Sequence, residues 1–125
     1  MKRSFIITKK DGVRFAKLSG DFNPLHTNSL YGYNSIYGKN VCHGVLVLLN
    51  FLKKNNAIIN KEINNLNIKF LNPVFYNKKI IIKKINLNKY KLSTDKIDLL
   101  EIQINGKSLD KEIKKNMLKK VIRLR

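Results

Sequence analysis

The sequence predicts an α+β domain in which an antiparallel sheet wraps around one central apolar helix. Three observations predict it. The run Val45-Leu46-Val47-Leu48-Leu49-Asn50-Phe51-Leu52 is apolar on nearly every side, as a helix in the middle of a core must be. Downstream of it the period is that of strands: Leu66, Ile68 and Phe70 alternate with Asn67 and Lys69, and Leu100, Ile102 and Ile104 alternate with Glu101 and Gln103. Finally, 125 residues with 43% hydrophobic content suit one compact domain spanning 1–125 and are too few for two.

Taken in order, Phe5-Ile6-Ile7-Thr8 reads as a short strand, and Asp11 to Leu18 as a brief helix capped at Asp11 and ended by Gly20. From Asp21 to Lys39 the text is Asn, Gly, Tyr, Ser and Pro with irregularly spaced apolar residues, which predicts an ordered excursion rather than a regular element. The apolar helix then runs until Lys53-Lys54-Asn55-Asn56 stops it. After the alternating strand at Leu66–Phe70 comes an Ile-rich strand from Lys79 to Leu87, and the last alternating run ends at a hairpin-like Asn105-Gly106. Two readings stay open for the chain end. Leu109, Ile113, Met117 and Val121 fall at helical spacing, whereas Val121-Ile122-Arg123-Leu124-Arg125 would suit an edge strand. One apolar helix followed by several half-buried antiparallel strands describes the hot-dog architecture.

The net charge of +18 would ordinarily point to nucleic acid or an acidic membrane surface. Placement argues against both. Lys, Asn and Ile, the residues whose codons are richest in A and T, make up 55 of the 125 positions, so lysine fills solvated sites generally. Only four of the 26 cations are Arg, the better reader of phosphate and bases, and aromatics are not interleaved with the lysines as a stacking platform requires. No specific nucleic-acid partner is expected. The longest apolar run falls far short of the roughly 18 residues of a membrane span, and no targeting segment follows Lys2-Arg3, so a cytoplasmic protein with no membrane partner is expected. The single cysteine, Cys42, agrees with a reducing compartment.

Six positions of the stretch Ser19-Gly20-Asp21-Phe22-Asn23-Pro24-Leu25-His26 hold an acid, an amide and an imidazole, in a chain with eight acids and two histidines. Pro24 lacks an N–H and disfavours a helical Asn23, so Asp21 and His26 are not stacked on one helix face but can converge from opposite limbs of a bend. By themselves these residues fit either a closed turn or an acid–base pair.

The stretch Phe15-Ala16, Leu18-Ser19-Gly20-Asp21 and Asn23-Pro24-Leu25-His26, followed 18 positions after His26 by Gly44 in Val41-Cys42-His43-Gly44, resembles the MaoC-like family of (R)-specific enoyl-CoA hydratases. Phe70-Leu71-Asn72-Pro73-Val74-Phe75 resembles that family's strand ending in Pro-Val. Lys39-Asn40 stands where the family often has Arg-Pro, and Tyr76-Asn77-Lys78 replaces a usual Gly-Asp turn; both departures bear on the pocket rim and not on the acid–base residues. The resemblance implies reversible addition of water to a trans-2-enoyl thioester, giving an (R)-3-hydroxyacyl thioester. It implies no cofactor beyond the coenzyme A or acyl carrier protein that the substrate carries.

On this reading Asp21 and His26 are the catalytic residues, sharing one water. Asp21 takes its proton as it attacks C3, and His26 positions it and assists proton delivery to C2. The backbone N–H of Gly44, at the start of the apolar helix, receives the enolate charge on the thioester oxygen, and the absent side chain lets that oxygen approach. Asn23 braces the bend, with contact to the water as the alternative, and His43 is a supporting group. Cys42 is read as a small core residue, since adjacent residues do not face each other. Tyr31, Tyr33 and Tyr37 are read as filling the excursion, with an acyl-tunnel lining as the alternative. Two histidines and scattered acids offer no metal-ligand spacing, and no metal is expected. A single hot dog leaves a sheet edge and one end of its pocket open, which predicts a homodimer. The competing readings are a silent acyl-thioester-binding hot dog, a thioesterase and a basic nucleic-acid-binding protein.

Overall fold

The computed structural model describes residues 3–55 and 61–108. Among these, the order is β1 (Arg3–Ile6), α1 (Lys9–Ser19), α2 (Pro24–Thr27), α3 (Ser29–Asn34), α4 (Gly44–Lys54), β2 (Lys61–Phe70), β3 (Lys79–Asn86), β4 (Lys89–Thr94) and β5 (Ile97–Ser108). The five strands form one antiparallel sheet in the order β1-β3-β4-β5-β2. This is a hot-dog fold.

Thr8 does not extend the first strand, because its side chain accepts the Asp11 N–H at 3.2 Å while the Asp11 carboxylate accepts the Thr8 N–H at 2.9 Å. That reciprocal capping box makes Thr8 the cap of α1 and places Asp11 inside the helix, correcting the expected cap. Gly20 ends α1 as expected, with φ 79° and its N–H on the Ala16 carbonyl at 2.9 Å. The excursion from 21 to 39 does contain regular structure: α2 and α3 are short helices capped by the side chains of Asn23 and Asn28. Their few residues give no apolar periodicity to read, only caps.

Helix α4 buries Leu46, Val47 and Phe51, which join Ile80, Ile82, Tyr90, Leu92, Leu100 and Ile102 of the sheet in one core cluster, and its buried Asn50 is tied back to the Leu46 carbonyl at 2.9 Å. It is not engulfed on every side. Val45 is exposed and Leu48, Leu49 and Leu52 are half-buried, because the sheet covers one stripe of the helix. The face expected to be buried on β2 is also partly open: Leu66 and Phe70 are 40% and 56% exposed. Strand β2 is a sheet margin, with β5 as its neighbour in the strand order, so shielding comes from one side.

Asn105-Gly106 is not a turn. It lies within β5, where Gly106 and Asn105 pair with Ile63 and Asn65 across a bulge whose extra residue is Asn64 of β2. The tight β4–β5 turn is instead Asp95-Lys96, with φ of 46° and 66°. The C-terminal segment, Leu109 to Arg125, for which helix and strand were both open, lies outside the described residues.

Candidate active site

The bend after Gly20 is built from side chains that satisfy their own neighbourhood. Ser19 Oγ donates to the Phe15 carbonyl and accepts the Asp21 N–H, Asp21 Oδ1 accepts the Asn23 N–H at 3.2 Å, and Asn23 Oδ1 accepts the Leu25 N–H at 3.0 Å. Pro24 occupies the first turn of α2, where a missing N–H costs nothing, and Asn23 stays non-helical at ψ 122°. Asn23 is thus the cap of α2 and braces the bend.

His26 emerges from α2 and is fixed by distant chain. Its Nδ1 lies 2.8 Å from the Val41 carbonyl, which can only accept, so Nδ1 carries a proton and, in the neutral ring, Nε2 presents a lone pair. The Tyr76 hydroxyl donates to the His26 carbonyl at 2.8 Å. That approach needs Gly12, since a Cβ there would fall 2.1 Å from the Tyr76 hydroxyl oxygen. The buried Asn40 amide donates to the Leu25 and Asn28 carbonyls at 2.9 and 2.8 Å, pinning α2 to α3.

His43 caps the start of α4 and turns its buried ring towards the bend. Its ring stacks on His26 at 3.9 Å between centroids and 27° between planes, and the edge of Phe15 meets it at 5.0 Å. Its Nε2 donates to the Asp21 carbonyl at 3.1 Å, while Nδ1 is buried with no hydrogen-bond partner among the described residues. Burial lowers its pKa, the bond to the Asp21 carbonyl opposes that, neighbouring His26 adds to the lowering and the Asp21 charge works against it. A proton on Nδ1 would be stranded there, so the ring stays neutral.

Asp21 Oδ2 lies 3.9 Å from His26 Nε2 and 4.0 Å from His43 Nε2, and the carboxylate is half-exposed. The structure therefore brings Asp21, His26 and His43 together, with Asn23 as brace. Although the sequence shows no ligand spacing, these three offer donor atoms within 4.8 Å of one another, the set that could hold a metal ion.

Gly44, next along the chain, opens α4, and its N–H belongs to the first turn, which has no intrahelical acceptor. It lines a cleft of about 330 Å³ with Tyr37, Val47, Phe70, Pro73 and Val74, while Asp21 and His26 stand outside that lining. A Cβ on Gly44 would fall 2.9 Å from the Phe70 ring. Tyr31, Tyr33 and Tyr37 are exposed and fill no core, contrary to expectation; Tyr37 lies on the cleft. Cys42 is a buried core residue, its thiol pushed up to about 12 by burial and then by the Asp11 charge. Lys39 stands 4.3 Å over the Phe75 ring. Tyr76, Asn40, Phe15 and Gly12 all support the site without a local sequence signal, because their partners lie 12 to 64 positions away.

Residues 2–97 match the family profile of the MaoC like domain. The chain belongs to the MaoC-like domain family. Solved structures share the hot-dog fold of this MaoC-like domain. The (R)-hydratase from A. caviae involved in PHA biosynthesis superposes with a TM-score of 0.70 at 17% identity, covering 87% of this chain and 93% of that one. R-hydratase PhaJ1 from Pseudomonas aeruginosa gives 0.60 at 19% identity over 87% and 80%. The ChsH1-ChsH2 complex from Mycobacterium tuberculosis gives 0.67 at 11% identity over 87% and 94%. A search of curated proteins finds no match. Among the described residues no helix is long and apolar enough to cross a membrane.

Proposed function

We propose that this MaoC-like domain is an (R)-specific enoyl-thioester hydratase, adding water reversibly to a trans-2-enoyl group carried on coenzyme A or an acyl carrier protein. The observation that carries the reading is the 3.9 Å separation of Asp21 Oδ2 and His26 Nε2. It is too long for a hydrogen bond and suits one water about 2.8 Å from each atom. Both atoms are free to face that water, because Asp21 Oδ1 is held by the Asn23 N–H and His26 Nδ1 by the Val41 carbonyl. Family membership and the (R)-hydratases of like fold support the same chemistry.

In this mechanism Asp21 and His26 Nε2 both accept hydrogen bonds from the water, aiming its oxygen at C3. As the C3–O bond forms, the carboxylate takes one proton and the double-bond electrons move onto the thioester oxygen. The Gly44 N–H and the positive end of α4 stabilise that enolate, a kind of contribution whose removal typically costs about 3 kcal/mol. Return of the proton from the Asp21–His26 pair to C2 completes the addition, leaving both residues as they began. His43 keeps the Asp21 backbone in place and contributes no charge. The substrate supplies coenzyme A or the carrier, and no other cofactor takes part. The exposed Leu66 and Phe70 at the β2 margin suit a homodimer.

The test is loss of crotonyl-CoA absorbance, repeated over enoyl thioesters of varied chain length and carrier. Asp21→Asn and His26→Ala are each expected to abolish it with the circular dichroism spectrum unchanged. Free thiol release without hydration would select a thioesterase, and binding without turnover a silent acyl-thioester-binding domain.

A further inference from the structure

The cluster that would hold the water has a second chemical character. A carboxylate oxygen and two imidazole nitrogens converge, the donor set that borderline transition cations prefer over hard ones. Asp21 Oδ2 stands 3.9 and 4.0 Å from the two Nε2 atoms. Donors bound to one tetrahedral Zn2+ at about 2.0–2.2 Å sit roughly 3.4 Å apart, whereas the three donors here lie within 4.8 Å of one another, so closing the set needs Asp21 to move by about half an ångström and the two stacked rings to turn their Nε2 atoms towards a common point. The half-exposed Asp21 side chain can make its part of that movement, and His26, 15% exposed, can turn more readily than the buried His43.

Two donors are already arranged as ligands. His26 gives its Nδ1 proton to the Val41 carbonyl, the outer contact that ligating imidazoles ordinarily make, and so directs its Nε2 lone pair into the cluster. Asp21 keeps Oδ2 clear while Asn23 holds Oδ1. The third donor is His43, whose Nδ1 is buried and lacks a partner. For His43 Nε2 to ligate, its proton passes to that Nδ1 and the 3.1 Å bond to the Asp21 carbonyl is released. The exchange balances, since the proton relocates within one ring, but it leaves a buried N–H without an acceptor. The site is therefore weaker than a closed structural zinc centre.

We propose that Asp21, His26 and His43 bind one divalent transition cation, Zn2+ fitting best, in the position of the water shared by Asp21 and His26. The cation and that water are mutually exclusive, so Zn2+ is an inhibitor. Its inhibitory effect rests on the hydratase reading; the binding does not.

The chain makes the test clean. Its two histidines are both in this cluster, and its one cysteine is buried, so no other histidine or exposed thiol competes for the cation. Isothermal titration of the whole protein with Zn2+, and Co2+ absorption in the visible range, are expected to give one site per chain. Asp21→Asn and His26→Gln, both near-isosteric, are each expected to weaken Zn2+ binding by at least the roughly 10–100-fold that loss of an outer-shell partner costs. Circular dichroism checks that each variant is folded. Hydration, where it is observed, should be inhibited by Zn2+ and restored by EDTA. Absence of Zn2+ binding, or binding unaltered in both folded variants, overturns the proposal. Site-specific binding in a protein that hydrates no enoyl thioester supports the cation site and rejects the hydratase reading.

Discussion

The His26 imidazole is bonded through Nδ1 to the Val41 carbonyl at 2.8 Å, and this single contact decides which nitrogen faces Asp21. A carbonyl cannot donate, so the neutral ring has its proton on Nδ1. His43 is the opposite case, with Nε2 donating to the Asp21 carbonyl. Long-range nitrogen–proton correlation spectra at neutral pH are expected to show one Nδ1–H and one Nε2–H imidazole. Assignment by His26→Gln and His43→Gln tells them apart; two rings of the same tautomer would contradict the geometry.

The neutral, buried state of His43 links stability to acid. Its folded pKa is lowered below the ordinary value of 6.5, first by burial. Below about pH 6.5 the unfolded chain binds a proton that the folded chain refuses, so stability falls as pH falls through that value and towards the folded pKa. The groups facing the ring are Asp21 and His26, with apolar Phe15 at its edge. Denaturant midpoints measured from pH 7.5 to 5 should decline in the wild type and decline less in His43→Gln.

At the alkaline end Cys42 and Tyr76 act together. Burial raises the Cys42 thiol from 9.0 to about 12 and moves the Tyr76 phenol upward as well. Both are proton-bound in the fold at pH values where the unfolded chain has begun to lose them, so stability drops as pH rises above about 9. The thiol should also resist iodoacetamide at neutral pH until the protein unfolds. Stoichiometric labelling of native protein at pH 8 would show that Cys42 is not the buried residue described.

Removing the Tyr76 hydroxyl leaves the His26 carbonyl without its donor. Tyr76→Phe is expected to cost about 1 kcal/mol of stability and to lower kcat more than it raises KM, because it loosens the ring's carrier rather than the cleft. Gly12→Ala should be worse, by about 1–3 kcal/mol, since its Cβ falls 2.1 Å from that hydroxyl oxygen. Chemical denaturation of the two variants and of the double variant checks both figures; in the double variant the Gly12→Ala penalty should shrink.

What could be read from the residues alone was whatever is coded locally. Gly20 as a helix stop, Pro24 as the bar to a helical Asn23, and the alternation of Leu100, Ile102 and Ile104 each act over a few positions, and each is seen in the structure. Thr8 suits the end of a strand and the cap of a helix equally, and the cap wins two reciprocal hydrogen bonds. Asn105-Gly106 carries the residue types of a turn, yet both residues pair with β2 in a continuing strand, and that long-range pairing decides. Leu66 and Phe70 follow the strand period correctly, yet periodicity does not say whether anything covers the face. The stacking of His43 on His26 and the hold of Tyr76 depend on tertiary contacts across 17 and 50 positions, which no local pattern encodes.

The anchoring of the two halves of the pair is unequal. Asp21 is shaped mostly by residues within a few positions of itself, whereas the imidazole is oriented by Val41 and its backbone is held by Tyr76. The octapeptide SGDFNPLH can therefore shape the bend around Asp21 by itself, but it cannot set the orientation of His26, which waits on Val41 and Tyr76. Where the His26 backbone sits is thus settled by a residue 50 positions further along the chain, whose hydroxyl finds room only because position 12 carries no side chain.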